Sequence, residues 1–419
     1  MATSQEFKTL TWITREALAM LAADMAFLKC GDNRYNPQFD NRSYQVGDTI
    51  QVRRRNRANS SATNGTLTPQ TIVEKTYPLT LDQWFTNGFE STLKEATLYM
   101  ASKSDQETYK SRYIQPIVQQ MVTQANQYLA KKAEEQLYFY YGTPGTPLNT
   151  FAAVTALQAR MRDLKMPVVS SDTYLLTNNA DDAAIKAALS NFYNPTFNRK
   201  IGEDYIMDRI ADFWKVSSAE VIHHVAGSDA GSATIKVSSI TVDGNSIVLK
   251  GLTPSTAGVI KKGDILKVKD TSAYGSILAP ISFKDTGIKM SFVAAADVTS
   301  DVGGIGTVTV NPVGDGIIVA SDNPWHNLAA QLPVDTEIEV IGTHNVGVAF
   351  TEGALVYAAP ELAPLATPLS YTMRDTDFGT GLSLRVSEGA DITYGKNILR
   401  IEMLFGAFFA PEYCLRYIS

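Results

Sequence analysis

Between residues 228 and 344 nearly every helical signal vanishes from a chain that shows clear helical patterning before it. Short β-rich runs take over: Thr234-Ile235-Lys236-Val237, Ser246-Ile247-Val248-Leu249, Asp264 to Val268, Met290 to Val293, Thr307-Val308-Thr309-Val310, Gly316 to Val319 and Glu337-Ile338-Glu339-Val340, separated by Gly, Asp and Asn. This is the pattern of a small antiparallel barrel or sandwich. Mixed α/β patterning resumes at about Val346, so the stretch reads as a β-domain inserted into another fold. The fold class is therefore α+β. With 419 residues, 44% of them hydrophobic, the chain has material for more than one core.

The flanking segments carry different signals. In residues 7–29, Leu10, Ile13, Ala17, Leu21, Met25 and Leu28 recur at spacings of three and four, which predicts a helix. That stripe fits two roles, a core helix of its own subunit or an arm on a neighbour. Residues 40–79 form a long excursion. Gly47-Asp48 makes a turn, Ile50 and Val52 alternate with polar residues, and a second strand returns over 70–77. A hairpin of this kind has little core of its own and must lie on something else. It carries Arg53, Arg54, Arg55 and Arg57. No aromatic residue lies among them to stack on bases, so they are read as partners for acidic residues of a neighbour rather than as a phosphate site.

Residues 104–141 hold the strongest local pattern. Ser104 and Glu107 form a capping box, and Tyr113, Ile117, Met121, Ala125, Leu129, Ala133, Leu137 and Tyr140 form one stripe. Pro116 is expected to open the long segment, which would run about 37 Å to Tyr141. A rod of that length is a structural beam more often than a site. Residues 142–227 read as mixed α/β, with helices over 148–164 and 181–189 and a strand at 174–177. Helical character is expected again at 353–357, followed by strands at 382–386, 398–409 and 413–418.

Chemistry is hard to find. Glu220, His223 and His224 are close in sequence, but their spacing matches neither H-E-x-x-H nor H-x-x-E-H. There is no nucleophile elbow and no phosphate loop, and Gly303-Gly304-Ile305-Gly306 sits among strands as a turn or bulge. Cys30 and Cys414 form neither a disulfide framework nor a zinc pattern, which suits a reducing cytoplasm. Thirty-seven Lys and Arg against 43 Asp and Glu argue against gripping nucleic acid through the global field. No apolar run is long enough to span a membrane, and Asp24 interrupts the one stretch that imitates a signal peptide. The chain is expected to be no enzyme and to need no cofactor or metal.

The order of these parts resembles the major coat proteins of short-tailed phages of the Salmonella-phage type, which have the Hong Kong 97 fold. Val46 to Val52, Arg112-Tyr113-Ile114-Gln115-Pro116 leading to Ala125-Asn126, His223 to Gly227, Lys262-Gly263-Asp264, Gly347 to Phe350 with Ala354 to Ala358, and Ser383 to Val386 followed by Arg400 to Gly406, Pro411-Glu412 and Leu415-Arg416 carry the resemblance. It implies an N-terminal arm (1–39), an extended loop (40–79), a peripheral domain with a spine helix (80–141), an axial domain (142–227), an inserted β-barrel domain (228–345) and a return through axial and peripheral domains (346–419). It implies pentamers and hexamers tiling an icosahedral head around double-stranded DNA, assembled in the host cytoplasm. The implied partners are further copies of the chain, a scaffolding protein, a portal and a decoration protein, with no membrane. Arg53, Arg54, Arg55 and Arg57 are the intersubunit contact candidates. One departure stands out: 228–261 is compact, with a tight turn at Val242-Asp243-Gly244-Asn245 where the family has a long loop. The alternatives are a nanocompartment shell of the same fold and a β-rich surface-binding protein; the inserted β-domain and the missing secretion signal weigh against them respectively.

Overall fold

The computed structural model describes residues 3–24, 27–28, 31–40, 46–54, 74–92, 108–164, 166, 173–189, 209–210, 213–217, 222–232, 234–241, 244–279, 284–311, 317, 319, 325–366, 369–375, 380–391 and 393–419. They form a mixed α+β protein in two compact units. The first unit takes residues 1–52, 78–129 and 355–408, and the second takes 53–77, 130–354 and 409–419. Cys30, Glu220 and the second strand's expected start at 70–73 lie outside the described residues.

In the first unit, the helix Thr3–Asp24 buries Ile13, Thr14, Ala17, Leu18 and Leu21. Those positions share one helical face. The face packs on the strands Leu369–Arg374 and Ser383–Asp391 of the same chain. Of the two roles open to this helix, the core role is the one observed. The sheet beneath it runs Leu355–Ala358, Lys396–Phe409, Ser383–Asp391, Leu369–Arg374, and Gln83–Thr92 pairs along the other side of Lys396–Phe409. Registers such as Leu399↔Phe89 and Val386↔Ile401 put alternate residues on one face. Glu402, 2% exposed, is held within the sheet by Arg385 at 2.6 Å, Arg400 at 2.6 Å and the Trp84 indole at 3.1 Å.

Two expectations need correction here. The segment expected to be helical at 353–357 is the strand Leu355–Ala358. All four of its residues are buried, and a short, uniformly apolar run does not reveal its period. Gly353, at φ +78°, supplies the turn before it. The long helix also differs from expectation. A five-residue π turn, Lys110–Ile114, precedes Gln115–Gln136, and the Gln115 N–H donates to the Lys110 carbonyl. A wider turn just ahead of Pro116 accommodates a residue with no N–H to give. The helix is about 33 Å long and stops at Gln136 rather than at Tyr141. The aromatic run Tyr138-Phe139-Tyr140-Tyr141 leads instead into the strand Tyr140–Gly142.

The second unit holds a seven-stranded mixed sheet. Its row runs Tyr140–Gly142, Cys414–Ile418, His344–Thr351, Thr173–Thr177, Phe213–Ser217, Arg209–Ile210, and His223–His224 pairs the start of His344–Thr351. The helix Phe151–Asp163 starts at Thr150, whose hydroxyl accepts from the Ala153 N–H at 3.1 Å. Asn179–Leu189 follows it, and the carboxylate of buried Asp181 accepts from the Tyr417 and Ser419 hydroxyls.

The same unit contains the β-rich segment. Six antiparallel strands lie in the order Ile338–Val340, Ile265–Val268, Ser291–Ala294, Ile305–Asn311, Ser246–Lys250, Lys236–Ile240. The two end strands also meet: Lys236 bridges to Glu337, and the Ile338 N–H donates to the Ile235 carbonyl at 3.0 Å. Ile305–Asn311 alternates exposed and buried along most of its length, as a strand over a core should. One buried cluster joins Val237, Leu249, Val268, Phe292 and Val308 to Leu157, Leu175 and Leu415. The strands Lys236–Ile240 and Ser246–Lys250 pair antiparallel, and beyond their ends the Gly244 N–H donates to the Thr241 carbonyl at 2.9 Å. Val242 and Asp243 of the compact turn expected there lie outside the described residues. Gly304, at φ +70°, sits in a turn whose N–H groups at Gly303 and Ile305 both donate to the Asp301 carboxylate.

Candidate functional site

Two places in the second unit gather charge in ways a core would not need for packing alone. The first is the root of the arginine run. The strands Thr49–Arg53 and Thr76–Thr80 pair, and the Arg54 N–H continues the ladder to the Lys75 carbonyl at 2.8 Å. Arg53 is exposed at the strand end. Arg54 turns inward. Its guanidinium lies 4.6 Å from the Tyr77 ring centroid and 4.5 Å from that of Trp325, and it donates to the carboxylate of Glu412. Glu412 and Trp325 are buried. Burial works against the charge, but Tyr77 and Glu412 outweigh it and raise the Arg54 pKa above its ordinary value. A planar cation between two rings with a carboxylate at its end is a strongly held group. Arg55 and Arg57 lie outside the described residues.

The second place is a buried ionic network. His224, on a two-residue strand just ahead of the β-rich segment, donates from Nδ1 to Glu134 of the long helix and from Nε2 to Asp264 at 2.6 Å. The other Asp264 oxygen accepts from the backbone N–H groups of Lys261 at 2.7 Å and Gly227 at 3.1 Å. Arg416 of the C-terminal strand is fully buried and donates from Nη1 to the carbonyls of Glu134 and Gly263, each at 3.0 Å. Its Nη2 donates to Nε2 of His344 at 2.6 Å, and His344 Nδ1 donates to the Gly342 carbonyl at 2.6 Å.

The two imidazoles stand 5.2 Å apart, and their pKa values shift in opposite directions. Burial disfavours charge on His224, yet hydrogen bonds to Asp264 and Glu134 raise its pKa. Burial and the Arg416 guanidinium push that of His344 down to about 3. His344 must stay neutral, because its Nε2 lone pair accepts from arginine. The Arg416 pKa itself falls to about 10 through burial, opposed by Glu134 and Asp264. His224 is held by two carboxylates and Arg416 by two carbonyls and the neutral ring, while the buried Arg416 Nε has no hydrogen-bond partner among the described residues.

Both nitrogens of His224 are taken, and no group of His, Cys, Asp and Glu that could hold a metal occurs among the described residues. His223 Nδ1 meets the Asn345 side-chain oxygen at 2.8 Å, and Glu220 lies outside the described residues. Sequence reasoning had His224, Gly263-Asp264 and Arg416 in separate segments of the resemblance and did not connect them. Glu134 and His224 are 90 residues apart and Arg416 and Glu134 are 282 apart, so no spacing could have shown the network. No helix among the described residues is long and apolar enough to cross a membrane.

Among solved structures, the chain is similar to one from Mycobacterium phage Che8, with 8% identity over 94% of this chain and 90% of that one and a TM-score of 0.45. It is similar to the mature capsid of bacteriophage PhiM1, with 9% identity, 89% and 83% coverage and a TM-score of 0.40. A virus-like particle from Pyrococcus furiosus matches at 7% identity, 98% and 99% coverage and a TM-score of 0.37. No curated protein sequence matches the chain. The sequence does match a family model, described as "P22 coat protein - gene protein 5", over residues 92–414. That span takes in the long helix, the β-rich segment, every member of the ionic network except Arg416, and most of the C-terminal strands; the chain belongs to the P22 coat protein family and is a structural coat protein of the tailed-phage type, not an enzyme.

Proposed function

We propose that this chain builds an icosahedral phage head of the Hong Kong 97 fold, assembling with copies of itself as pentamers and hexamers around double-stranded DNA. The observation that carries the reading is the family match over residues 92–414. In this reading the six antiparallel strands, with their end strands tied through Lys236 and Glu337, close as an inserted β-barrel. The loop of residues 40–79 reaches a neighbouring subunit. Arg53, Arg55 and Arg57 make the intersubunit ion pairs, and Arg54 anchors the loop's root to its own chain through Glu412. Assembly takes place in the host cytoplasm with a scaffolding protein and a portal, and the virion is the final location. Many modest contacts repeated over a shell add through multivalency.

The test is a combined Arg53→Ala, Arg55→Ala, Arg57→Ala variant sedimented beside the unaltered chain in the presence of scaffolding protein. The proposal expects folded subunits that fail to reach shell mass. Normal shells from the triple variant would remove these arginines from the interface.

A further inference from the structure

A cleft of about 500 Å³ opens in the second unit between the strand that follows the long helix, the helix Phe151–Asp163 and the β-rich segment. Three cations line it, Arg160, Lys267 and Lys289, against one carboxylate, Asp270. The surplus is notable in a chain whose formal net charge is -6. Lys267 reaches Asp270 at 2.6 Å, but that carboxylate is 74% exposed and directs much of itself to solvent. Among the described residues, the Lys289 ammonium is held by the Tyr274 carbonyl alone, at 3.3 Å.

Arg160 is the least satisfied of the three. Its Nε is buried and has no hydrogen-bond partner among the described residues. Burial lowers its pKa, and Tyr140, Asp163 and Asp270 oppose that effect only in part. A buried guanidinium N–H left unpaired costs free energy, and a site that recruits an anion recovers it. The Tyr140 hydroxyl lines the same cleft and stays protonated, since burial, Glu339 and Asp270 all raise its pKa. It therefore adds a neutral donor. Thr143 and Thr286 also line the cleft, though the Thr286 hydroxyl already donates to the Ile277 carbonyl at 2.8 Å.

We propose that this cleft binds a compact phosphate-bearing anion, with Arg160 as the forked donor and Lys267 and Lys289 as flanking charges. An arginine fork suits tetrahedral oxyanions, while lysines supply charge without fixing orientation. The volume lies within the range of small-ligand sites and exceeds what a single orthophosphate fills, so a polyphosphate group fits better than one phosphate. The phosphate could belong to a free small molecule or to a nucleic-acid backbone; the chemistry is shared.

Calorimetric titration of the full chain with inorganic pyrophosphate tests this. Saturable binding is expected, weakened about tenfold or more in Arg160→Gln and by less in Lys289→Gln. Pyrophosphate should also raise the melting temperature of the unaltered chain and leave that of R160Q unmoved. R160Q keeps hydrogen-bonding capacity and removes a desolvated charge, so it should fold. Competition by a short single-stranded oligonucleotide, lost in R160Q, assigns the phosphate to nucleic acid; no competition assigns it to a free anion. Absence of saturable binding at millimolar pyrophosphate, or equal binding by the unaltered chain and R160Q, overturns the proposal.

Discussion

Replacing His344 by Gln tests whether the buried network holds its second imidazole neutral. Gln presents a carbonyl that can still accept from Arg416, so the guanidinium keeps its partner and only the titration is removed. The bond from Nδ1 to the Gly342 carbonyl is lost, which should cost about 1–2 kcal/mol at neutral pH. The informative quantity is the pH slope. His344 has an ordinary value of 6.5 and a folded value of about 3. Between those values the unfolded chain binds a proton that the folded chain refuses, so this residue's contribution to stability falls as pH falls. From pH 7 to pH 5 the loss comes to about 2 kcal/mol, and if acidified through the folded pKa it would reach about 5 kcal/mol. Other groups titrate in the same range. His224 shifts the opposite way, its raised pKa favouring the folded state at low pH and losing that benefit as pH rises through it. Comparing the variant with the parent cancels those shared contributions. Urea unfolding of both proteins at pH 7 and pH 5 should show the parent losing about 2 kcal/mol more than H344Q. Parallel losses would mean that His344 is not held neutral, and the account of Arg416 as its donor would fall with it.

Further outcomes follow from the same geometry. Arg54→Ala should destabilise the isolated subunit by about 3–5 kcal/mol, because Glu412 is left buried without its cation, whereas Arg53→Ala should stay within about 0.5 kcal/mol in chemical denaturation. Gly347→Ala would place a Cβ 1.9 Å from the Tyr417 ring, so a melting-temperature drop corresponding to at least about 1–3 kcal/mol is expected, with unchanged stability counting against the packing described. Cys414 is fully buried with its thiol pKa pushed well up, so it should resist thiol reagents in the native subunit and react on unfolding.

The larger architecture could be read from the sequence because it rests on local periodicity and on a change of period. The stripe on Thr3–Asp24, the stripe on Gln115–Gln136 and the loss of helical signal after residue 228 all survive in the structure. Element edges were harder. Leu355–Ala358 is apolar on both faces, so its neighbours in the sheet, not its own pattern, decide that it is a strand. The end of the long helix depends on Tyr140–Gly142 pairing in parallel with Cys414–Ile418, a partner far along the chain. The ionic network is the extreme case. Its members look ordinary one at a time, and tertiary structure alone brings them within hydrogen-bond reach. Arg54 shows a subtler limit: four arginines in one run look alike in sequence, yet burial between Tyr77 and Trp325 separates one of them from its exposed neighbour Arg53.

The central claim is that this coat protein closes into a shell with copies of itself. Electron microscopy of the full chain expressed with its scaffolding protein tests it most directly. The account predicts closed icosahedral particles with five-fold and six-fold capsomers. A chain that remains monomeric in the scaffold's presence would contradict it.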